Sequence, residues 1–311
     1  MSSSPRITES SVRTRTMASL QRTMSRTQTA QDQISSGKQL RRPSDSPTGT
    51  VTALQLRSEV RANQKYSANA DDAVGRLGAV QDTLQDSIGL ISKVRELTLA
   101  GVSAGGGSSP EANKARAAEI EQIKGTLIQY ANTKYLDRPV FGGATPEFTA
   151  YDSSGTYAGE SNGEVLRSIG PNAKVRVDVR GPEVFGSETI TDSNGIEVAN
   201  PAQLFKVLDG LAKSMRDGDS AGITAGLENL DKASQILNST LSEVGARYNR
   251  VTQMKQSAED RLMSVSSQLS DIEDVDLPKA IMELQLQQTS YQAALAATAK
   301  VIQPSLIDFL R

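Results

Sequence analysis

A seven-residue repeat of apolar side chains between positions 230 and 272 constrains this chain more than any other feature. Every seventh position from Leu230 to Ile272 is apolar, and a second row, offset by four, contributes further leucines. Apolar residues that alternate at three- and four-residue spacing form one narrow stripe along a helix. At 1.5 Å per residue such a helix is about 65 Å long, so it needs a partner helix of similar length. The residues expected in this core stripe are Leu230, Leu237, Leu241, Val244, Val251, Leu262, Val265 and Leu269.

The residue types present exclude most kinds of catalytic site. The 311 residues include no Cys and no His, which rules out Ser-His-Asp and Cys-His catalysis, zinc sites built on these residues, and disulfides. An enzyme or ligand-binding protein would need a carboxylate or Ser/Lys site, and no spacing in the sequence supports one. Lys and Arg number 34 against 36 acidic residues, so bulk charge predicts neither nucleic-acid nor membrane binding. We therefore expect a protein that is not an enzyme and has no cofactor or metal.

Turn-forming residues divide the chain into five segments. Residues 1–46 form a polar helix and a turn, and 47–137 the first part of a helical domain. Residues 138–200 are β-rich, 201–272 complete the helical domain, and 273–311 form a terminal helix. We predict a mainly α fold, in which a long antiparallel helical bundle or coiled coil is built from both chain ends. A small β-rich domain is inserted in its middle.

Local signals predict several boundaries. Strict alternation over 174–180 predicts a half-buried strand, 164–169 and 188–191 are weaker strand candidates, and Ser193-Asn194-Gly195 predicts a turn. A helix from Pro110 is expected to run to about Leu136. Capping signals predict further helices that start at Asn200-Pro201 and after Asp276.

The helices at the two chain ends carry weaker apolar patterns. Their net charges, +3 for 1–35 and −3 for 271–311, are complementary, although exposed ion pairs stabilise little individually. Both are poor in large apolar residues and marginal alone, so we expect them to order on association with other subunits. The alternative is a seam within one chain. The expected interface residues are Met17, Leu20, Met24, Ile34, Ile281, Leu284, Tyr291, Leu295, Ile302, Leu306 and Phe309.

Three short motifs favour structural roles over chemistry. Ser36-Gly37-Lys38 lacks the other residues of a phosphate-binding loop, which predicts a turn. The acidic run 271–276 lacks the Gly and the final Glu of an EF-hand, which predicts a solvated turn with helix caps. No aromatic residues interleave with the arginines of the first segment, which disfavours nucleic-acid binding. Those arginines are Arg13, Arg15, Arg22 and Arg26.

Motifs on both sides of the β-rich segment resemble those of one family. On the N-terminal side they are Arg6-Ile7-Thr8-Glu9-Ser10, Ile34-Ser35-Ser36-Gly37-Lys38-Gln39-Leu40, Pro43-Ser44-Asp45-Ser46-Pro47-Thr48-Gly49, Ala131-Asn132-Thr133 and Val140-Phe141-Gly142-Gly143. On the C-terminal side they are Glu243-Val244-Gly245-Ala246-Arg247 and Ser305-Leu306-Ile307-Asp308-Phe309-Leu310. In these motifs the chain resembles the bacterial flagellin superfamily, and its ending resembles the hook-associated branch more than filament flagellin. The stretch 136–140 departs from the family pattern.

The resemblance implies a structural protein of the bacterial flagellum at the junction of hook and filament. It implies type III export without a cleavable signal peptide, and an export chaperone that masks the C-terminal helix. Subunits would self-associate in a ring between hook-associated protein 1 and flagellin. The segments 1–46 and 273–311 would form the innermost helices, 47–137 and 201–272 the middle layer, and 138–200 the outer domain. The alternative is filament flagellin itself.

Overall fold

Long helices from both ends of the chain make up most of the fold. The computed structural model describes residues 9–103, 110–145, 149–160, 163–191 and 197–302. Its helices are α1 (Glu9–Ser36), α2 (Pro47–Ser103), α3 (Pro110–Ala131), α4 (Gly181–Phe185), α5 (Leu204–Asp217), α6 (Ser220–Glu273) and α7 (Leu277–Ile302). The predicted mainly α fold with a small β insert is confirmed. Within these described ranges, no helix is both long enough and apolar enough to cross a membrane.

Short antiparallel strand pairs form the β part of the insert. They are β1 (Lys134–Tyr135) with β2 (Arg138–Pro139), β3 (Leu166–Ser168) with β4 (Lys174–Arg176), and β5 (Thr189–Thr191) with β6 (Glu197–Ala199). The strand expected over 174–180 ends at Arg176, because Asp178 is buried and its side chain accepts a hydrogen bond from the amide of Val165 at 2.7 Å. The predicted turn Ser193-Asn194-Gly195 lies outside the described residues.

Two helix boundaries differ from the sequence prediction. Helix α3 ends at Ala131 instead of near Leu136, because Leu136 and Asp137 have φ values of +49° and +60°. Positive φ at both central residues makes the tight turn of a hairpin, here the one between β1 and β2. Helix α5 begins at Leu204 rather than at 201, since Gln203 is its N-cap and accepts a hydrogen bond from the Lys206 amide at 2.7 Å.

The described chain divides into two compact units. The terminal unit comprises residues 1–61 and 262–311, and the central unit comprises residues 62–261. These divisions fall inside α2 and α6, whereas the five segments predicted from the sequence follow helix ends. The segment boundaries remain a prediction.

The central unit holds an extensive apolar core. Leu77 and Leu84 of α2, Leu127 of α3, Leu211 of α5 and Leu237 of α6 are fully buried in it. Of the core-stripe residues in this unit, Leu230, Leu237, Val244 and Val251 are buried and Leu241 is half-buried. Five aromatic rings of the insert and of α5 pack into the same core, with centroids 5.2–5.6 Å apart; they belong to Phe141, Tyr151, Tyr157, Phe185 and Phe205.

Polar contacts attach the insert to α2 within the central unit. The side-chain amide of Asn69 donates to the carbonyl oxygen of Ser168 at 2.7 Å, and Arg167 forms an ion pair with Asp72 at 2.7 Å. The buried guanidinium of Arg76 donates to the carbonyl oxygen of Pro139 at 3.3 Å. The two hydrogen bonds satisfy backbone carbonyl groups of the insert, and together with the ion pair they hold the insert on this helix.

Candidate functional site

In the terminal unit, α1 and α7 form an antiparallel hairpin. The end of α1 lies beside the start of α7, where Ala30 and Ala280 are buried and line one groove together. Small side chains at these positions let the two helices approach closely. Four of the residues that the sequence singled out are half-buried: Leu20, Ile34, Leu284 and Tyr291. Near the base of the hairpin, at the end of α6, Val265 is buried and Leu262 and Leu269 are half-buried.

One flank of the hairpin carries exposed apolar side chains. Counted at about 100° per residue from Ala30 and Ala280, the exposed residues named below fall on the same side of the two helices. Met17 and Met24 are 58% and 53% exposed, and Ile281 and Leu295 are 45% and 43% exposed. Residues seven or fourteen apart lie on the same side of a helix, so each pair forms a short stripe. All four are among the interface residues expected from the sequence. We call these four residues the apolar flank.

The opposite flank is charged. Arg26, Gln33, Lys279 and Glu283 line a groove of about 460 Å³ between α1 and α7. Arg26 is two residues from Met24, which places it about 200° around the helix axis. Arg22 and Arg15 fall on the same side as Arg26 by helical periodicity. The arginines noticed in the sequence therefore lie mostly on one flank of the hairpin, away from the methionines.

The remaining predicted interface residues lie at the end of the chain. Ile302 is the last residue of α7 as described, and Leu306 and Phe309 lie outside the described residues. The insert contributes no predicted interface residue.

Two turns meet at the base of the hairpin, and backbone hydrogen bonds join them. The amide of Gln39 donates to the carbonyl oxygen of Glu273 at 2.7 Å, and the amide of Val275 donates to that of Gly37 at 3.0 Å. Gly37 has φ +68°, a left-handed conformation that favours glycine. Ser36-Gly37-Lys38 thus forms a turn, as predicted.

An ion pair reinforces the junction of the two turns. Nζ of Lys38 lies 2.5 Å from Oδ1 of Asp274, and the Ser270 hydroxyl donates to Oδ2 of Asp274 at 2.5 Å. The hydrogen bond from Lys38 and, to a smaller extent, the one from Ser270 lower the pKa of Asp274 below its ordinary value. The same bond to Asp274 raises the pKa of Lys38. Both groups are therefore charged at neutral pH.

The acidic run 271–276 is only partly the solvated turn that the sequence predicts. Asp276 caps α7 as expected, accepting a hydrogen bond from the Lys279 amide at 3.1 Å. Glu273, however, is buried, with 3% of its surface exposed. Sequence reasoning missed it because its cationic neighbours, Arg57 and Lys38, lie more than two hundred positions away along the chain. Among the described residues, no group of three acidic side chains is arranged to hold a metal ion.

Comparison with known proteins places this architecture in a family. The bacterial flagellin N-terminal helical region matches residues 7–141, and the bacterial flagellin C-terminal helical region matches residues 227–310. Flagellar hook-associated protein 3 of Escherichia coli (strain K12) is 24% identical over 282 residues, covering 86% of this chain and 87% of that protein. The hook-associated protein 3 of Salmonella typhimurium is 23% identical over 280 residues, covering 85% and 86%.

Solved structures share the fold. A putative flagellar hook-associated protein from Vibrio parahaemolyticus superposes with a TM-score of 0.62 at 18% identity, covering 74% of this chain and all of that one. FlgL of Bacillus cereus superposes with a TM-score of 0.57 at 19% identity, covering 70% and 99%. The sequence matches lie on both sides of the insert and include both helices of the terminal hairpin. The chain therefore belongs to the bacterial flagellin family.

Proposed function

We propose that this protein is a structural subunit of the bacterial flagellum that joins the hook to the filament. Support comes from the relatives named hook-associated protein 3, which align over most of both chains. The observation that carries the proposal is the exposed apolar flank of the hairpin, formed by the two chain ends. Large apolar side chains exposed together on one side of a hairpin indicate a surface that another protein covers.

The apolar flank supplies the association energy in this proposal. Burying a Met, Leu or Ile side chain stabilises by roughly 1.5–3 kcal/mol. The four flank residues together therefore supply several kcal/mol per subunit contact, offset by the entropy lost on association. The alanines between α1 and α7 bury less apolar area than the four flank residues would in a subunit contact. The hairpin therefore gains order when neighbouring subunits cover its apolar flank.

The proposed partners follow from this position. One end of a ring of self-associated subunits contacts hook-associated protein 1, and the other end contacts flagellin. Before assembly, the subunit is exported without a cleavable signal peptide, and an export chaperone covers the C-terminal helix. The protein acts by offering a surface, with no chemical step.

Charged substitutions on the apolar flank test this role. Met24→Asp and Ile281→Asp each place a charge in the proposed contact, and we expect cells that carry them to keep hooks but lose filaments and to shed flagellin into the medium. Thr29→Asp is the matched control, because it adds the same charge to α1 at an exposed position that lines the charged groove. It should leave filaments intact. Normal filaments with both flank variants would rule out the apolar flank as the contact.

Filament flagellin is the second candidate. A flagellin of Bacillus subtilis (strain 168) is 22% identical over 278 residues and covers 88% of each chain. The two roles differ in self-polymerisation, since filament flagellin forms long filaments from purified protein. Electron microscopy of concentrated purified protein distinguishes them, and under our proposal no long filaments form.

A further inference from the structure

A buried carboxylate lies at the base of the terminal hairpin, and the proposed contact surface does not include it. Glu273 is the last residue of α6 and is 3% exposed. Nε of Arg57, on α2, lies 2.6 Å from its Oε1, and Nζ of Lys38 lies 3.6 Å from its Oε2. Both contacts are ion pairs.

The backbone of Glu273 takes part in the same junction. Its carbonyl oxygen accepts hydrogen bonds from the amides of Gln39 at 2.7 Å and Leu40 at 3.4 Å. Glu273, at the end of α6, thus contacts both the turn that follows α1 and the third turn of α2. The segments that it joins lead directly into α1 and α7. Glu273 therefore lies between the end of α1 and the start of α7.

Cationic side chains surround the carboxylate of Glu273. Arg57 and Lys38 face the carboxylate, and Arg41 and Arg42 line the same cleft, which measures about 220 Å³. Asp274 is the neighbouring acid, and Lys38 and Ser270 bind it. The side chains of Arg57 and Lys38 are 51% and 46% exposed, whereas that of Glu273 is 4% exposed. Water can therefore hydrate the two cations, but it has little access to the carboxylate.

We propose that Glu273 is a positioning residue, whose buried charge locks the two turns together and so holds α1 against α7 in the orientation needed for assembly. This inference rests on the proposed function only in its last step, the need for that orientation. The lock itself is a property of the isolated subunit. Removing the exposed cation Arg57 leaves a buried charge uncompensated, whereas neutralising Glu273 leaves only a solvated cation, so the first change should cost more.

Hydrogen exchange of the full-length protein tests the lock. Arg57→Gln leaves the carboxylate buried, with Lys38 as its remaining ion-pair partner among the described residues. We expect amides of α1 and α7 to exchange about tenfold faster or more. Glu273→Gln is isosteric and uncharged, so its effect should be smaller. The double variant Glu273→Gln/Arg57→Gln should return exchange to the level of Glu273→Gln alone. Asp271→Asn, two positions away and exposed, is the matched control and should leave exchange unchanged.

The double variant separates a charge lock from lost packing, because rescue is expected only where the defect of Arg57→Gln comes from the buried charge left without its partner. A defect caused by lost packing of the Arg57 side chain would persist in the double variant. Equal defects in Arg57→Gln and Glu273→Gln with no rescue in the double variant, or a comparable defect in Asp271→Asn, would overturn the proposal. Amides of the central unit serve as the internal reference for folding.

Assembly in cells is the separate arm of the experiment. We expect Arg57→Gln to lower the number of filaments per cell. The double variant should restore that number to the level of Glu273→Gln alone, as it does for hydrogen exchange. Faster exchange in α1 and α7 with normal filaments would overturn the role of hairpin orientation in assembly while leaving the lock in place. Normal exchange would overturn the lock, whatever the filaments do. The failure of the inference is thus distinguishable from the failure of the proposed function.

Discussion

The two tyrosines of the aromatic cluster differ in what their hydroxyl groups contact. Oη of Tyr151 is buried and has no hydrogen-bond partner in the part of the chain that the structure describes. Burial raises the pKa of Tyr151 well above its ordinary value. The Tyr157 hydroxyl lies 3.2 Å from the carbonyl oxygen of Glu160 and 3.3 Å from that of Phe141, and it can donate to either. Burial raises the pKa of Tyr157 to about 12.

These contacts predict opposite effects of one chemical change. Tyr151→Phe removes a buried, unpaired hydroxyl, so the free energy of unfolding should stay the same or rise by up to about 1 kcal/mol. Tyr157→Phe breaks a hydrogen bond and should lower it by about 1 kcal/mol. Urea unfolding followed by circular dichroism measures both, and each variant is the control for the other. A loss of stability in Tyr151→Phe as large as in Tyr157→Phe would contradict the prediction.

For single residues, burial is predictable from sequence only where it is periodic. Leu230, Leu237 and Val244 are buried, and their seven-residue spacing is visible in the sequence. Asp178 and Glu273 are also buried, yet nothing local distinguishes them from exposed acids. The cations beside Glu273, Arg57 and Lys38, lie more than two hundred positions away, so no local sequence pattern signals its burial.

Among the structural elements, a compact ion network ties β4 to α4. Nη2 of Arg176 lies 3.1 Å from Asp178 and 2.9 Å from Glu183, and Arg180 lies 2.6 Å from Glu183. Burial opposes ionisation of Glu183, but hydrogen bonds from Arg180 and Arg176 outweigh it and lower the pKa of Glu183. The network holds the short strand and the short helix together where the backbone ladder has ended.

The lowered pKa predicts the direction of a pH effect. A carboxyl whose folded pKa lies below its ordinary value of 4.5 stabilises the fold fully above that value, and the contribution is lost as pH falls through the folded pKa. Below pH 4.5, amides of β4 and α4 should therefore exchange faster, after correction for intrinsic rates. In Glu183→Gln the exchange of these amides should no longer accelerate below pH 4.5. Glu119→Gln, at an exposed position on α3, is the control and should still show the acceleration. An unchanged pH profile in Glu183→Gln would refute the assignment.

Elements were predictable in proportion to their length. Helix α6 spans many repeats, so its period is unambiguous, and Asp276 identified the start of α7 through its capping role. The strands are only two or three residues long, too short for alternation to define them. Helix α4 is five residues long, too short to show a helical period in the sequence. The end of α3 depends on the left-handed backbone conformation of Leu136 and Asp137. Neither residue type indicates that conformation in the way that glycine does.

At the scale of the whole molecule, apolar burial is unevenly distributed between the two units. The cluster of buried apolar residues runs from Ala70 to Val251 and lies entirely within the central unit. In the described residues of the terminal unit, the buried apolar side chains are mostly alanine: Ala30, Ala53, Val265 and Ala280. Because stability follows buried apolar area, the central unit should carry most of the stability of the subunit.

This distribution predicts that residues 62–261 fold on their own. We expect a fragment with these ends to keep the circular dichroism of its helices and aromatic cluster, and its amides to stay as protected as in the full chain. A fragment of residues 78–261 is the control, since it lacks the buried Ala70, Ala73 and Leu77 and should be much less stable. Weak protection of 62–261 would show that the terminal unit contributes stability beyond its small buried area. Strong protection would place the marginal part of the subunit in the hairpin, where assembly with neighbouring subunits can order it.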